Sequence, residues 1–197
     1  MSDINYSDIK YGEVAEKLFQ KYYKGVGNGR KYHIRDTTKS KYHRKLGVDF
    51  EVVSVEEKRQ RMIEVKHQKG IYYSGEIVFE TLNEYQYGKQ NGWLNTSQAD
   101  ELYVLESKTI GGMVKPIGFH CFKFKPLRKL LRQNECLQEE YINGSTKAFK
   151  VGVWYLKKQL GDDYWYEDLS QYDLEIPLEA KECLKIGMKK GLEATNY

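Results

Sequence analysis

The sequence predicts a mixed α/β domain of the α+β kind, with a central mixed β-sheet flanked by helices. Three observations predict it. An amphipathic helical pattern occupies residues 8–23. Short apolar and β-branched segments follow, bounded by turn residues. A further helical pattern then opens at Pro126. Helices and strands that share one chain in this order must cover each other's apolar faces in layers. A length of 197 residues suits one domain with a core that needs no staples.

The first helix places Ile9, Val14, Leu18 and Tyr22 on one face, with Tyr11, Ala15 and Phe19 beside them. The glycines Gly25, Gly27 and Gly29 end it. Residues 50–55 and 62–67 read as two strands, and polar Glu56 to Gln60 between them makes a hairpin. Residues 76–81 read as another strand, and 83–91 as a short helix or loop. Strands are expected at 102–105 and 117–122, with a turn at Gly111-Gly112. Pro126 opens a helix carrying Leu127, Leu130 and Leu131. Alternating Phe149, Val151, Val153 and Tyr155 predict a strand over 148–156, and Pro177 is expected to start a last helix.

Composition narrows the class. Aromatic residues reach 14% and tyrosines number 17, so the chain has the means to fold. No apolar run approaches the roughly 20 residues of a membrane span. The first residues carry no basic and apolar leader pattern, so no secretory signal is expected. Cys121, Cys136 and Cys183 are odd in number and widely spaced. They predict free thiols in a reducing, cytoplasmic setting, and they exclude a Cys-x-x-Cys zinc ribbon.

Net charge is only +4, from 32 basic and 28 acidic residues. The distribution is uneven. Arg30, Lys31, Arg35, Lys39, Lys41, Arg44 and Lys45 form a basic stretch broken only by Asp36. Lys123, Lys125, Arg128, Lys129 and Arg132 form a second. An acidic region runs from Asp162 to Glu182. A basic band beside a catalytic set of acids would hold a phosphate backbone.

The segment that carries chemistry is Asp49 followed by Glu64-Val65-Lys66. Glu64 and Lys66 are two apart in a strand and share a face. A hairpin centred between Glu56 and Glu57 sets Asp49 opposite Glu64, on the same face. Neighbouring carboxylates repel unless a cation lies between them. A hard divalent ion suits oxygen ligands, acidifies water and offsets charge on a phosphate. Glu-x-Lys also begins at Glu56, Glu106 and Glu179, so the triplet alone says little. Only Glu64 sits inside an apolar strand behind a second strand that opens on an aspartate.

Asp49 with Glu64-Val65-Lys66, after a helix bearing glutamates, resembles the PD-(D/E)xK nuclease superfamily. That group includes restriction endonucleases, Holliday junction resolvases and phage exonucleases. The resemblance covers roughly residues 8–107, about half the chain. It implies a restriction-endonuclease-like core over 1–125, with 126–197 as a C-terminal extension packed on it. It implies a Mg2+-dependent DNA nuclease, with Mn2+ as a substitute. Asp49 and Glu64 would be metal ligands and Lys66 the catalytic lysine. Glu16 would be the helix-borne metal ligand, with Glu13 as its alternative. Gln68 is a secondary candidate for contact with water or phosphate, and the stretch from Arg30 to Lys45 a nucleic-acid surface. Homodimers are common in the group. Val48 stands where many members have proline, and residues 92–100 resemble phage-encoded enzymes more weakly. The competing reading is a non-catalytic nucleic-acid-binding or assembly protein on the same fold. A nuclease acting on RNA is a third.

The glycines at 25–29 lack the spacing of a phosphate loop. His33, His43, His67 and His120 lack metal-ligand spacing. No serine or cysteine pattern supports acyl transfer. Tyr32, Tyr42, Tyr72 and Tyr73 lie near basic residues and could stack on bases.

Overall fold

A computed structural model describes residues 6–26, 32–68, 70–85, 88–110, 113–142, 144–170 and 176–177. The elements in chain order are α1 (Tyr6–Val26), β1 (Tyr32–Asp36), α2 (Lys41–Leu46), β2 (Phe50–Ser54), β3 (Gln60–His67), α3 (Ile71–Ser74), β4 (Glu76–Tyr85), β5 (Gly88–Asn91), α4 (Trp93–Thr96), β6 (Glu101–Ile110), β7 (Met113–Lys123), α5 (Phe124–Gln133), β8 (Glu139–Tyr141), β9 (Thr146–Gly152), α6 (Val153–Leu160), β10 (Tyr164–Asp168) and β11 (Ile176–Pro177). A single 3-10 turn, Gly161–Asp163, joins α6 to β10.

The larger sheet runs β1-β2-β3-β6-β7-β10, with β11 also on β7. Its β3–β6 pair is parallel and all others are antiparallel, so the sheet is mixed. A second sheet runs β5-β4-β9-β8. The chain beyond residue 125 enters both sheets, through β9 on β4 and β10 on β7.

Both faces of the larger sheet are covered. On one, α1 sets Val14, Ala15, Leu18 and Phe19 against Phe50, Val52, Ile63, Val65 and Tyr103. The Phe19 ring lies 4.9 Å from Phe50 and 5.0 Å from Tyr103, and each such pair contributes about 1 kcal/mol beyond burial. On the other, Val48, Leu102, Val104 and Phe122 meet Ile77 and Phe79 of β4, Leu94 of α4 and Leu127 of α5. Glu64 alternates with Ile63 and Val65, so it points into this second layer. That explains why a carboxylate there is only 1% exposed.

The mixed sheet and flanking helices match the sequence expectation, and several elements differ. Residues 148–156 are not one strand: β9 stops at Gly152, whose extended backbone caps α6. Val153 and Tyr155 therefore belong to a helix. Residues 83–85 complete β4 and 88–91 form β5, paired antiparallel with it, where a short helix or loop is expected. The helix at Pro126 begins two residues earlier, with proline inside the first turn where its missing N–H costs nothing. Pro177 lies in β11 rather than opening a helix, and the expected continuation through Leu178, Cys183, Leu184 and Met188 lies outside the described residues.

Gly47 fixes the approach to Asp49. It closes α2 in the left-handed conformation, φ +60°, donating its N–H to Arg44 while Val48 donates to His43. A Cβ here would stand 2.9 Å from both Cα and Cβ of Ser97. Gly47→Ala is therefore expected to destabilise the fold by about 1–3 kcal/mol, from strain and crowding together. A thermal melt should show a midpoint lower by roughly 3–10 °C. An unchanged midpoint would show that the turn is not constrained in this way.

Candidate active site

The β2–β3 hairpin pairs Phe50 with Ile63, Glu51 with Met62 and Val53 with Gln60. This is the register that the turn length implies. Asp49 stands one residue outside the ladder. Its N–H donates to the Ile63 carbonyl at 2.9 Å. Its Oδ2 accepts from the Val65 N–H at 2.8 Å. The side chain thus takes the place of a backbone acceptor and holds its carboxylate against the Glu64–Lys66 strand.

Glu64 is buried, and Lys66 Nζ lies 2.7 Å from its Oε1. Its Oε2 is buried with no hydrogen-bond partner among the described residues. Ser97 is adjacent, but its hydroxyl donates to the Gly47 carbonyl at 2.9 Å. Burial pushes the Glu64 carboxyl above its ordinary range, the Lys66 ammonium opposes this, and Asp49 adds to it. Burial would lower the Lys66 ammonium, yet Glu64, Asp49 and Glu80 together hold it above the ordinary lysine value. The Trp93 ring centroid is 5.9 Å from Nζ and adds a cation–π contact.

Glu16, on α1, belongs to the same electrostatic group. Burial and then the charge of Asp49 push its pKa up to about 7, against the pull of Lys66. Glu13 is exposed one turn away. Of the two helix glutamates, Glu16 is the partly buried one, coupled to Asp49 and Lys66.

The remaining sequence candidates fall elsewhere. Gln68 donates to the Val78 carbonyl at 2.5 Å and accepts from the Val78 N–H at 2.8 Å. Both ends of its amide are engaged in clamping β3 to β4. Lys39, Lys41, Arg44 and Lys45 are exposed on and before α2, the helix that leads into Asp49. Arg35 pairs with Glu51 at 3.0 Å. Arg30 and Lys31 lie outside the described residues. The second basic stretch is partly structural. Arg128 donates to the Leu94 and Ser97 carbonyls and packs 4.0 Å over Phe124, and Lys123 pairs with Asp163 at 2.8 Å.

Sequence reasoning did not single out Glu80 or Trp93, and it placed Arg128 only in a basic stretch. Glu80 sits at a register shift between Glu80 and Leu82, which re-aims the strand. Trp93 and Arg128 reach the site through the packing of α4 and α5. Spacing carries no signal for such contacts.

Among the described residues, no group of three His, Cys, Asp or Glu side chains is arranged to hold a metal ion. The donor chemistry nonetheless suits a hard divalent cation. Asp49 and Glu64 supply carboxylate oxygens, and Glu64 Oε2 lacks a partner. Mg2+ commonly takes one or two carboxylates and keeps several waters.

The chain matches no protein-family model, and no curated protein or solved structure is significantly similar to it. Among the described residues, no helix is long and apolar enough to cross a membrane.

Proposed function

We propose that this chain is a divalent-metal-dependent DNA nuclease with a restriction-endonuclease-like core. The observation that carries the reading is the electrostatic coupling of Asp49, Glu64, Lys66 and Glu16, drawn from the turn before β2, from β3 and from α1. Two of these acids are pushed above their ordinary pKa, and one buried oxygen is unsatisfied. Carboxyls pushed up by burial and by each other's charge are the environment that a bound cation would relieve. Asp49 and Glu64 would hold the ion directly, and Glu16 through water. A bound ion supplies positive charge that acidifies water and offsets charge developing on phosphate. Lys66, held protonated, orients the attacking water or donates to a phosphate oxygen. Asp49 keeps its position through the Val65 N–H, so its carboxylate need not reorganise as charge shifts.

One observation favours a second reading. Lys66 and Glu64 already satisfy each other at 2.7 Å, as in a binding protein that has no catalytic cation. Incubation with linear, circular, single-stranded and branched DNA, and with RNA, separates the two. Cleavage that needs Mg2+ or Mn2+ and stops in chelator supports the nuclease. Salt-sensitive binding without cleavage under any metal supports the other.

The α2 surface adds a separate expectation. Replacing Lys39, Lys41, Arg44 and Lys45 together with alanine should flatten the slope of log affinity for duplex DNA against log salt by up to about 4. Binding titrations from 50 to 200 mM salt would measure it. An unchanged slope would move the phosphate contacts elsewhere.

A further inference from the structure

A second polar cluster lies on the same face of the larger sheet, away from the carboxylate site. His120 of β7 pairs with Val104 of β6 and with Tyr166 of β10. Val104 pairs in turn with Lys66. His120 thus stands two strands from the lysine on one rung. Its Nε2 contacts Glu106 Oε2 at 3.2 Å, and its Nδ1 contacts the Tyr164 hydroxyl at 3.0 Å. The Tyr166 hydroxyl donates to the same Oε2 at 3.0 Å. Gly118 makes this possible. A Cβ there would stand 2.3 Å from the Tyr166 ring and hydroxyl, so the missing side chain is the space the ring occupies. The group borders a cavity of about 510 Å³, walled also by Val153 and Lys157 of α6. That volume falls in the range of small-molecule sites.

The proton inventory defines what the cavity can take. Glu106 is an acceptor, held below the ordinary carboxylate range mainly by the His120 contact. An ionised carboxylate only accepts, so Nε2–H donates to it; in the neutral imidazole Nδ1 then accepts from the Tyr164 hydroxyl. Both tyrosine protons are directed within the cluster. The cluster can offer the cavity Glu106 Oε1 and the tyrosine oxygens, all acceptors, between aromatic rings. Lys157 adds a cation at the wall. A matching ligand is flat, brings N–H donors and carries negative charge.

We propose that this cavity binds a nucleobase with an exocyclic amino group, carried on a phosphate and read by Glu106. Free nucleotide and a base extruded from DNA share this chemistry, and two arms of one experiment distinguish them. The first is calorimetric titration of the full chain with dAMP, dCMP, dGMP and dTMP, without metal. At least one amino-bearing nucleotide should bind about tenfold more tightly than dTMP, whose carbonyls would face the carboxylate. Glu106→Gln should erase that preference. Lys157→Ala, an exposed change that spares the core, should weaken all ligands alike and keep the preference. The second arm places 2-aminopurine in an oligonucleotide. Fluorescence that rises on binding, and not with Glu106→Gln, identifies an extruded base. A bound mononucleotide with a silent oligonucleotide identifies a free nucleotide. Silence in both arms, equal binding of dTMP, or a preference that survives in Glu106→Gln overturns the proposal. Binding is read without cleavage, so its failure leaves the nuclease reading untouched.

Discussion

Lys66→Met should lower Mg2+-dependent DNA cleavage at least about a hundredfold, the scale of losing one positioned proton donor or charge stabiliser. Methionine keeps the apolar stem and removes only the ammonium. It also leaves Glu64 buried with both oxygens uncompensated, at a cost of about 3 kcal/mol. Lost activity could then reflect lost folding, so a second variant is needed. Glu64→Gln combined with Lys66→Met removes both charges and should recover most of the stability. Activity should stay absent, because neither a metal-binding carboxylate nor a cationic donor is restored. Denaturant unfolding beside cleavage assays on the single and double variants reads both quantities. Cleavage by Lys66→Met at the wild-type rate would end the catalytic assignment. Activity that returned with stability in the double variant would make the pair structural.

Part of this site is legible in the amino-acid sequence alone. Antiparallel pairing has a period of two, so the polar turn at residues 56–57 set the register, and Phe50 does face Ile63. What the pattern could not show was the second layer. Glu64 reads as the polar position of a half-exposed hairpin, yet β4, α4 and α5 cover that face and make it interior. These are long-range contacts, and spacing within one strand says nothing of them. The same limit hid Glu80, which depends on a register shift, and β10, whose Tyr164-to-Asp168 segment reads as part of an acidic region. Local chemistry decided other cases. Gly152 halts the alternation of β9 and starts α6, and the end of the basic stretch, from Lys41 to Lys45, forms most of α2 under a serine cap and a glycine stop. The choice between Glu16 and Glu13 needed α1 placed against the hairpin end, because one helical turn separates them.

Glu16 carries the strongest consequence for pH. Its pKa rises from an ordinary 4.5 to about 7 in the fold, through burial first and then the charge of Asp49. The unfolded chain loses this proton near 4.5, whereas the folded chain keeps it until about 7. Between those values the folded state binds more protons, so stability falls as pH rises. The contribution is complete below about 4.5 and lost above about 7. Its size is about 2 kcal/mol once solvent screening of a half-buried group is allowed for. Glu16→Gln should therefore raise the melting midpoint by roughly 4–8 °C at pH 8 and leave it nearly unchanged at pH 4.5. The same substitution should lower metal-dependent cleavage, since the amide cannot supply a carboxylate to the site. A divalent ion favours the ionised form, so adding Mg2+ at pH 7 should release protons from the wild type and fewer from Glu16→Gln. Melts across pH, with proton release followed in weak buffer, test the two halves separately. Parallel pH profiles for the two proteins would remove Glu16 from the electrostatic group. A normal profile difference with equal proton release would keep it there but take it out of the metal's reach.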